Sequence, residues 1–129
     1  MSALGPKGRM RVFAYGAACD MRKSFNTLAG LVTSMGHEVA AGDVFLFVGR
    51  RRKRAKVLWY DGTGLCLLGK RLDRGRFASL WKDGTSEVPL TMSELALFLE
   101  GCELVGRVPL SPPSVDVTAA SRVAANAFY

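Results

Sequence analysis

The fold is decided by residues 43–77, DVFLFVGRRRKRAKVLWYDGTGLCLLGKRLDRGRF, in which three apolar runs alternate with polar connections. The first run, residues 44–49, is apolar at almost every position, as in a short strand buried on both faces. The runs 55–60 and 65–69 are rich in β-branched, aromatic and long aliphatic residues, which favour strands. The stretch therefore predicts a three-stranded antiparallel meander.

Two different connections join the predicted strands. Residues 61–64, Asp-Gly-Thr-Gly, have glycines where a tight turn needs a positive φ. The other connection consists of five consecutive cations: Arg50, Arg51, Arg52, Lys53 and Arg54. Because like charges at this density repel each other, we expect the loop to lie in solvent or against an anion.

The meander would bring two basic clusters together. Its third strand returns to the end of the sheet at which the second strand began, so the cations that follow it lie beside the loop 50–54. These cations are Lys70, Arg71, Arg74 and Arg76. Together with Lys56 in the second strand, the ten side chains are predicted to form one surface, which we call the basic patch.

The distribution of charge supports a functional role for this surface. The protein has 129 residues, 49% of them hydrophobic, and a net charge of +7, which suits one domain with a real core. Residues 43–82 contain eleven Lys or Arg against three Asp, whereas the other residues contain seven basic and eight acidic ones. Such asymmetry is typical of proteins that bind nucleic acid, an anionic membrane or an acidic protein surface.

Several classes of protein are disfavoured. No stretch approaches the length of a membrane span, and residues 1–10 lack the apolar core of a signal peptide. The three cysteines are scattered through the chain, so neither a disulfide framework nor a zinc motif is indicated. We expect a cytoplasmic protein that does not bind a membrane.

The first segment outside the meander predicts a strand and a helix. Residues 10–15 favour a strand, and Asp20 stands where the N-cap of a helix belongs. An apolar stripe at helical spacing follows, and Gly36 ends it. The stripe consists of Met21, Phe25, Leu28, Ala29, Val32 and Met35.

The second half predicts two further strands and a second helix. Residues 77–81 favour a fourth strand, and residues 86–88 favour a short strand that Pro89 would confine to an edge of the sheet. Thr91 and Glu94 form the sequence pattern of a capping box, ahead of an apolar stripe that includes Cys102. We expect a single α+β domain at residues 10–105, with an antiparallel sheet of four to six strands and two amphipathic helices. Residues 1–9 are expected to be a flexible leader and residues 106–129 a mostly disordered tail.

Arg22 and Lys23 allow two interpretations. In the first turn of the predicted helix, they could bind a phosphate together with the free amides of that turn. Alternatively they belong to a solvated turn whose charge Asp20 holds, and this interpretation is favoured because helix starts are far commoner than phosphate sites.

The sequence shows little that favours an enzyme. His37 is the only histidine and pairs with no cysteine or serine at a known spacing. Asp43, Asp61 and Asp73 could form a metal-binding cluster, but turns and strand ends use Asp routinely. We therefore predict no catalytic residue, no metal and no cofactor.

Nucleic acid is the better match. Within residues 43–82 Arg outnumbers Lys by seven to four, and the guanidinium fork suits phosphates and base edges. Four aromatic residues could stack on bases, although core packing is favoured for at least two of them. They are Trp59, Tyr60, Phe77 and Trp81. The cations could also be a merely solvated face.

Four motifs, in order, resemble one known family. They are DMRKSF at residues 20–25 with Leu-Ala at 28–29, KVLWYDGTG at 56–64, KRLDRGRF at 70–77 and LALFLEG at 95–101. Over roughly residues 10–103 the chain resembles the accessory protein, called TnpB or the second-frame protein, of bacterial insertion sequences in the group numbered sixty-six. That family is unrelated to the RNA-guided nuclease that is also called TnpB.

The resemblance implies a role in transposition beside a separate DDE transposase, which carries out the strand chemistry. It brings no catalytic residues. Two functions then stay open. A non-enzymatic accessory protein would bind DNA phosphates through the basic patch, with Arg22 and Lys23 as further candidates. A protein-interaction module would instead dock on the transposase through the same patch.

Overall fold

The computed structural model describes residues 10–81 and 84–101. Within them the elements are β1 (Val12–Tyr15), α1 (Phe25–Ser34), a 3-10 turn (Val39–Ala41), β2 (Val44–Val48), β3 (Arg54–Tyr60), β4 (Leu65–Arg71), β5 (Glu87–Leu90) and α2 (Met92–Glu100). The predicted α+β class is confirmed. The predicted leader at residues 1–9 and tail at 106–129 lie outside the described residues, as does Cys102.

One mostly antiparallel sheet contains the five strands, in the order β4-β3-β2-β1-β5. The predicted meander is confirmed, because β3 pairs antiparallel with both β2 and β4. The pair β1–β2 is parallel, unlike the rest. A parallel pair needs a crossover connection, and α1 with the residues around it supplies one.

The central strand β2 is buried at all five positions, since each face of the sheet is covered. On one face, Leu28 and Val32 of α1 pack with Phe45, Phe47 and Leu58. We call this the α1 face. On the other, the α2 face, buried residues of α2 pack against alternate residues of the same strands. Phe77 and Phe98 stack there, with ring centroids 4.9 Å apart.

The first helix begins later than predicted. Its N-cap is Ser24, so Asp20 is not the N-cap and residues 20–23 form a turn before the helix. The reason is tertiary: the amide of Cys19 donates to the carbonyl oxygen of Val48 at 2.9 Å, and Met21 packs on Gly49. These contacts hold the segment along the end of β2, in a path that a helix cannot follow.

Residues 77–81 are not a strand, contrary to the prediction. Phe77, Ala78 and Leu80 are buried in the core of the α2 face, so this segment lies across the sheet rather than along its edge. The last strand is β5, which forms an edge of the sheet and contains Pro89, as predicted.

The second helix has the predicted capping box. Thr91 Oγ1 accepts a hydrogen bond from the Glu94 amide at 3.0 Å, and Glu94 Oε1 accepts one from the Thr91 amide at 2.8 Å. The helix ends at Gly101 with φ of 73°. A Cβ there would overlap the Leu72 side chain, so the end of α2 sits directly on the chain that leaves β4.

Candidate nucleic-acid interface

The strand register places the two basic clusters at one end of the sheet. Arg54, at the start of β3, lies directly opposite Arg71, at the end of β4. Beyond this pair, the amide of Leu72 donates to the carbonyl oxygen of Lys53 at 2.8 Å. The loop 50–54 and the segment that follows β4 are therefore adjacent, as the meander predicted.

Arg54 and Arg71 both lie on the α1 face, in register with Lys56 and Leu67 respectively. Both side chains are exposed, and neither forms an ion pair within the part of the chain that the structure describes. Directly opposed residues have Cβ atoms roughly 4.5–5.5 Å apart, and like charges in such a pair destabilise the sheet. A bound anion would remove this repulsion.

Two adjoining clefts surround the pair. The larger has a volume of about 480 Å³, and its cationic lining consists of Arg50, Arg51, Lys53, Arg54 and Arg71. The smaller, about 310 Å³, is lined by Arg54, Lys56, Lys70 and Arg71, among others. Met21, Arg54 and Arg71 line both clefts, which therefore adjoin. We call the two together the groove.

Residues 19–23 form one side of the groove. The Lys56 Nζ donates to the carbonyl oxygen of Lys23 at 2.6 Å, which ties this segment to β3. Met21 approaches Gly49 so closely that a Cβ on the glycine would lie 2.8 Å from Met21 Cγ. Helical spacing had placed Met21 in the stripe of α1; only its contact with Gly49 shows that it belongs to the groove.

Arg22 and Lys23 lie before α1 rather than in its first turn. Arg22 is bonded to Asp20 through its guanidinium, with Nη2 2.8 Å from Oδ2, and through its amide. These hydrogen bonds hold the pKa of Asp20 well below its ordinary value. Asp20 thus neutralises Arg22, as the second interpretation expected, while Lys23 is half-buried and contributes its carbonyl to Lys56.

Arg52 differs from the other cations of its loop. It has a left-handed backbone, with φ of 58°, and its amide donates to the Gly49 carbonyl oxygen at 2.8 Å. Its Nη1 donates to the carbonyl oxygen of Phe77 at 3.1 Å. Arg52 is half-buried and fastens the loop to the segment below α2, whereas its four neighbours in the loop are exposed.

Arg74 and Arg76 are exposed in the irregular segment between β4 and Phe77. Neither lines the two clefts of the groove. The glycine between them, Gly75, lies beside the end of α2, where its Cβ would be 3.6 Å from the Gly101 carbonyl oxygen. The basic patch therefore has a groove on the α1 face and an extension toward the end of α2.

The four aromatic candidates do not line the groove. Phe77 is fully buried, and Trp59 and Trp81 pack against the core of the α2 face. Tyr60 lies at the opposite end of β3, where its hydroxyl donates to the Gly62 carbonyl oxygen at 3.2 Å. Core packing is thus the right interpretation for at least three of them.

The acidic residues considered as metal ligands have structural roles. Asp61 Oδ1 accepts hydrogen bonds from the amides of Thr63 and Gly64 and from the Thr63 hydroxyl, which lowers the Asp61 pKa to about 2. Asp43 is buried and bonded to Arg11, with Nη2 2.7 Å from Oδ2. Among the described residues, no three His, Cys, Asp or Glu side chains are grouped so that they could hold a metal ion.

His37 is not a surface residue, as expected from its place after a helix. It is half-buried and stacked on Phe13, with ring centroids 4.4 Å apart, and its Nε2 lies 2.7 Å from Glu87 Oε1. It joins the end of α1 to β5, on the far side of β1 from the groove. No helix in residues 10–81 and 84–101 has the length and apolar character needed to cross a membrane.

Comparison with known proteins agrees with the motifs. The family model described as IS66 Orf2-like protein matches residues 10–107. The uncharacterized protein y4hO of Sinorhizobium fredii is 36% identical over 100 residues, covering 76% of this chain and 86% of that protein. The uncharacterized protein y4jC of the same organism is 30% identical over 115 residues, covering 86% and 97%. No solved structure matches the chain significantly. The chain belongs to the IS66 Orf2-like family, the accessory proteins of this group of insertion sequences.

Proposed function

We propose that this protein binds DNA through the basic patch during transposition of its insertion sequence and carries out no strand chemistry itself. The observation that carries the proposal is the opposition of Arg54 and Arg71 across β3 and β4, with no acidic partner among the described residues. Membership in an accessory family supports a non-catalytic role.

The electrostatic reasoning starts from the cost of the patch. Exposed cations at this density repel one another, and solubility alone does not require them to be adjacent. A DNA backbone offers a regular array of phosphates, and each cation that neutralises one releases condensed counterions. Arginine forks also donate two parallel hydrogen bonds to one phosphate. DNA would thus turn a destabilising cluster into a binding surface.

The lining of the groove indicates which part of DNA is contacted. It contains Lys, Arg, Met, Leu, Ala, Cys and Gly but no aromatic, amide or carboxylate side chain. Aromatic platforms and amide or carboxylate pairs are among the usual means of reading bases, whereas Lys and Arg bind phosphates without regard to sequence. We expect affinity dominated by the backbone and only weak preference for sequence.

Salt titration of DNA binding tests the proposal. If roughly six cations contact phosphates, affinity should fall about a thousandfold between ~50 and ~200 mM salt. The variant R50A/R51A removes two exposed cations and should flatten the logarithmic slope by up to about two contacts. Arg52 is left in place because of its bond to Phe77. A matched control, D20N/R22Q, leaves the net charge unchanged and should leave the slope nearly unchanged.

Docking on the transposase through the same patch is the competing outcome. It predicts weak binding to any DNA, together with capture of the element's transposase that R50A/R51A abolishes. If R50A/R51A keeps both its full salt slope and its transposase binding, the patch is a solvated face and both functions are wrong.

A further inference from the structure

We propose that the groove binds a single strand of DNA, with Arg54 and Arg71 holding one phosphate between them. This inference rests on the proposed function and deepens it, because it names the form of DNA that the site accepts.

The Arg54–Arg71 pair is suited to a phosphate by its placement. The register fixes the two residues opposite each other on the α1 face, so both guanidinium groups start from neighbouring Cβ atoms. Both residues line both clefts. A phosphodiester has two free anionic oxygens, and each can accept charge-assisted bonds from one guanidinium. One phosphate held between the two forks would cancel the repulsion of the pair.

The dimensions of the groove favour one strand over two. Volumes of about 310 and 480 Å³ on either side of the pair fall in the range of roughly 300–1,000 Å³ that accommodates small ligands. Each cleft therefore suits about one nucleotide next to the held phosphate. Duplex DNA is stiff over this distance, so its paired strands would stay on the outermost cations. A flexible single strand can follow a recessed, positively charged groove.

The apolar lining also fits a single strand. Met21 lies at the junction of the clefts, and Leu72 and Cys19 line the larger one. These side chains offer contact to sugars and unpaired bases, which a duplex keeps stacked inside. Because no side chain of the lining is suited to reading a base edge, binding should tolerate any sequence.

The test compares a single-stranded oligonucleotide of mixed sequence with a hairpin duplex that has the same number of phosphates. Fluorescence anisotropy of the labelled DNA with the full chain, at one salt concentration, measures both affinities. We expect the single strand to bind about tenfold tighter or more, which corresponds to about 1.4 kcal/mol. Equal affinity, or tighter binding of the duplex, overturns this inference and leaves the proposed function standing. Binding to neither DNA overturns both.

Two matched variants locate the preference. R54Q/R71Q removes the opposed pair and should abolish the preference for the single strand. R50Q/R51Q removes the same charge from the larger cleft alone and should weaken both DNA forms by a similar factor. A preference that survives in R54Q/R71Q overturns the assignment to this pair.

Two further measurements keep the result interpretable. R54Q/R71Q relieves a like-charge pair, so its thermal unfolding should match or exceed that of the wild type. R54K/R71K keeps the charge but lacks the guanidinium fork, and it should retain only part of the preference. An RNA oligonucleotide of the same sequence completes the set, and tighter binding of RNA than of DNA overturns the assignment to DNA.

Discussion

Arg52 and Phe77 bind each other twice: the Phe77 amide donates to the Arg52 carbonyl oxygen at 2.6 Å, and Arg52 Nη1 donates to the Phe77 carbonyl oxygen at 3.1 Å. Phe77 is fully buried and stacks on Phe98 of α2. One residue of the basic loop is therefore part of the connection between the sheet and the core of the α2 face. Its neighbours in the loop remain free to contact an anion.

The first prediction separates this role from DNA binding. Arg52→Ala leaves a buried carbonyl without its charged donor and should lower the free energy of unfolding by about 1–3 kcal/mol. Arg51→Ala, one position away and exposed, should change it by less than about 0.5 kcal/mol. Urea denaturation of both variants measures the difference, and equal midpoints would show that the bond to Phe77 contributes nothing.

A second prediction concerns the contact between Gly49 and Met21. Gly49→Ala would place its Cβ 2.8 Å from Met21 Cγ, close to the backbone of residue 21, so the segment 19–23 must shift. We expect a loss of about 1–3 kcal/mol of stability and weaker DNA binding, because this segment forms one side of the groove. Gly69→Ala is the control for stability: its Cβ meets nothing within 4 Å, so unfolding should be almost unchanged.

Asp20→Ala should strengthen DNA binding. Asp20 is not a helix cap, so its loss should change the free energy of unfolding by less than about 0.5 kcal/mol. The substitution frees the Arg22 guanidinium, whose side chain is 92% exposed, for contact with a phosphate. A salt titration should therefore show tighter binding and a logarithmic slope steeper by up to about one contact. Unchanged or weaker binding would mean that Arg22 lies beyond the reach of DNA.

The last prediction follows from the Asp61 turn. Its hydrogen bonds lower the Asp61 pKa from 3.8 to about 2 in the folded protein. Since the folded pKa lies below the unfolded one, the stabilisation is fully present above about pH 4 and is lost as the pH falls through about 2. Urea denaturation of wild type and Asp61→Ala should differ by a constant amount above that window and converge below it. A difference that stays constant through acid pH would show that the carboxylate charge is not what stabilises the turn.

Local chemistry in the sequence was sufficient for several elements. The turn at residues 61–64 and the capping box at Thr91 and Glu94 consist of residues that bond to their own neighbours, so their sequence pattern is enough to predict them. Short connections force consecutive strands to pair antiparallel, and the position of the two basic clusters followed from that alone. The α+β class and the family motifs were likewise legible before any coordinates.

Contacts between distant residues decided the rest. Helical spacing could not show that residues 20–23 are held out of α1 by Val48 and Gly49, more than twenty-five residues away. The parallel pairing of β1 with β2 and the irregular path of residues 77–81 depend on which surface buries each segment. A run of five cations carries no local sign that Arg52 alone turns inward, because its partner is the carbonyl of Phe77. The sequence by itself determined the elements and the sum of the charge; packing across the sheet decided which charges are free to bind, because a hydrogen bond needs a partner in space and not in sequence.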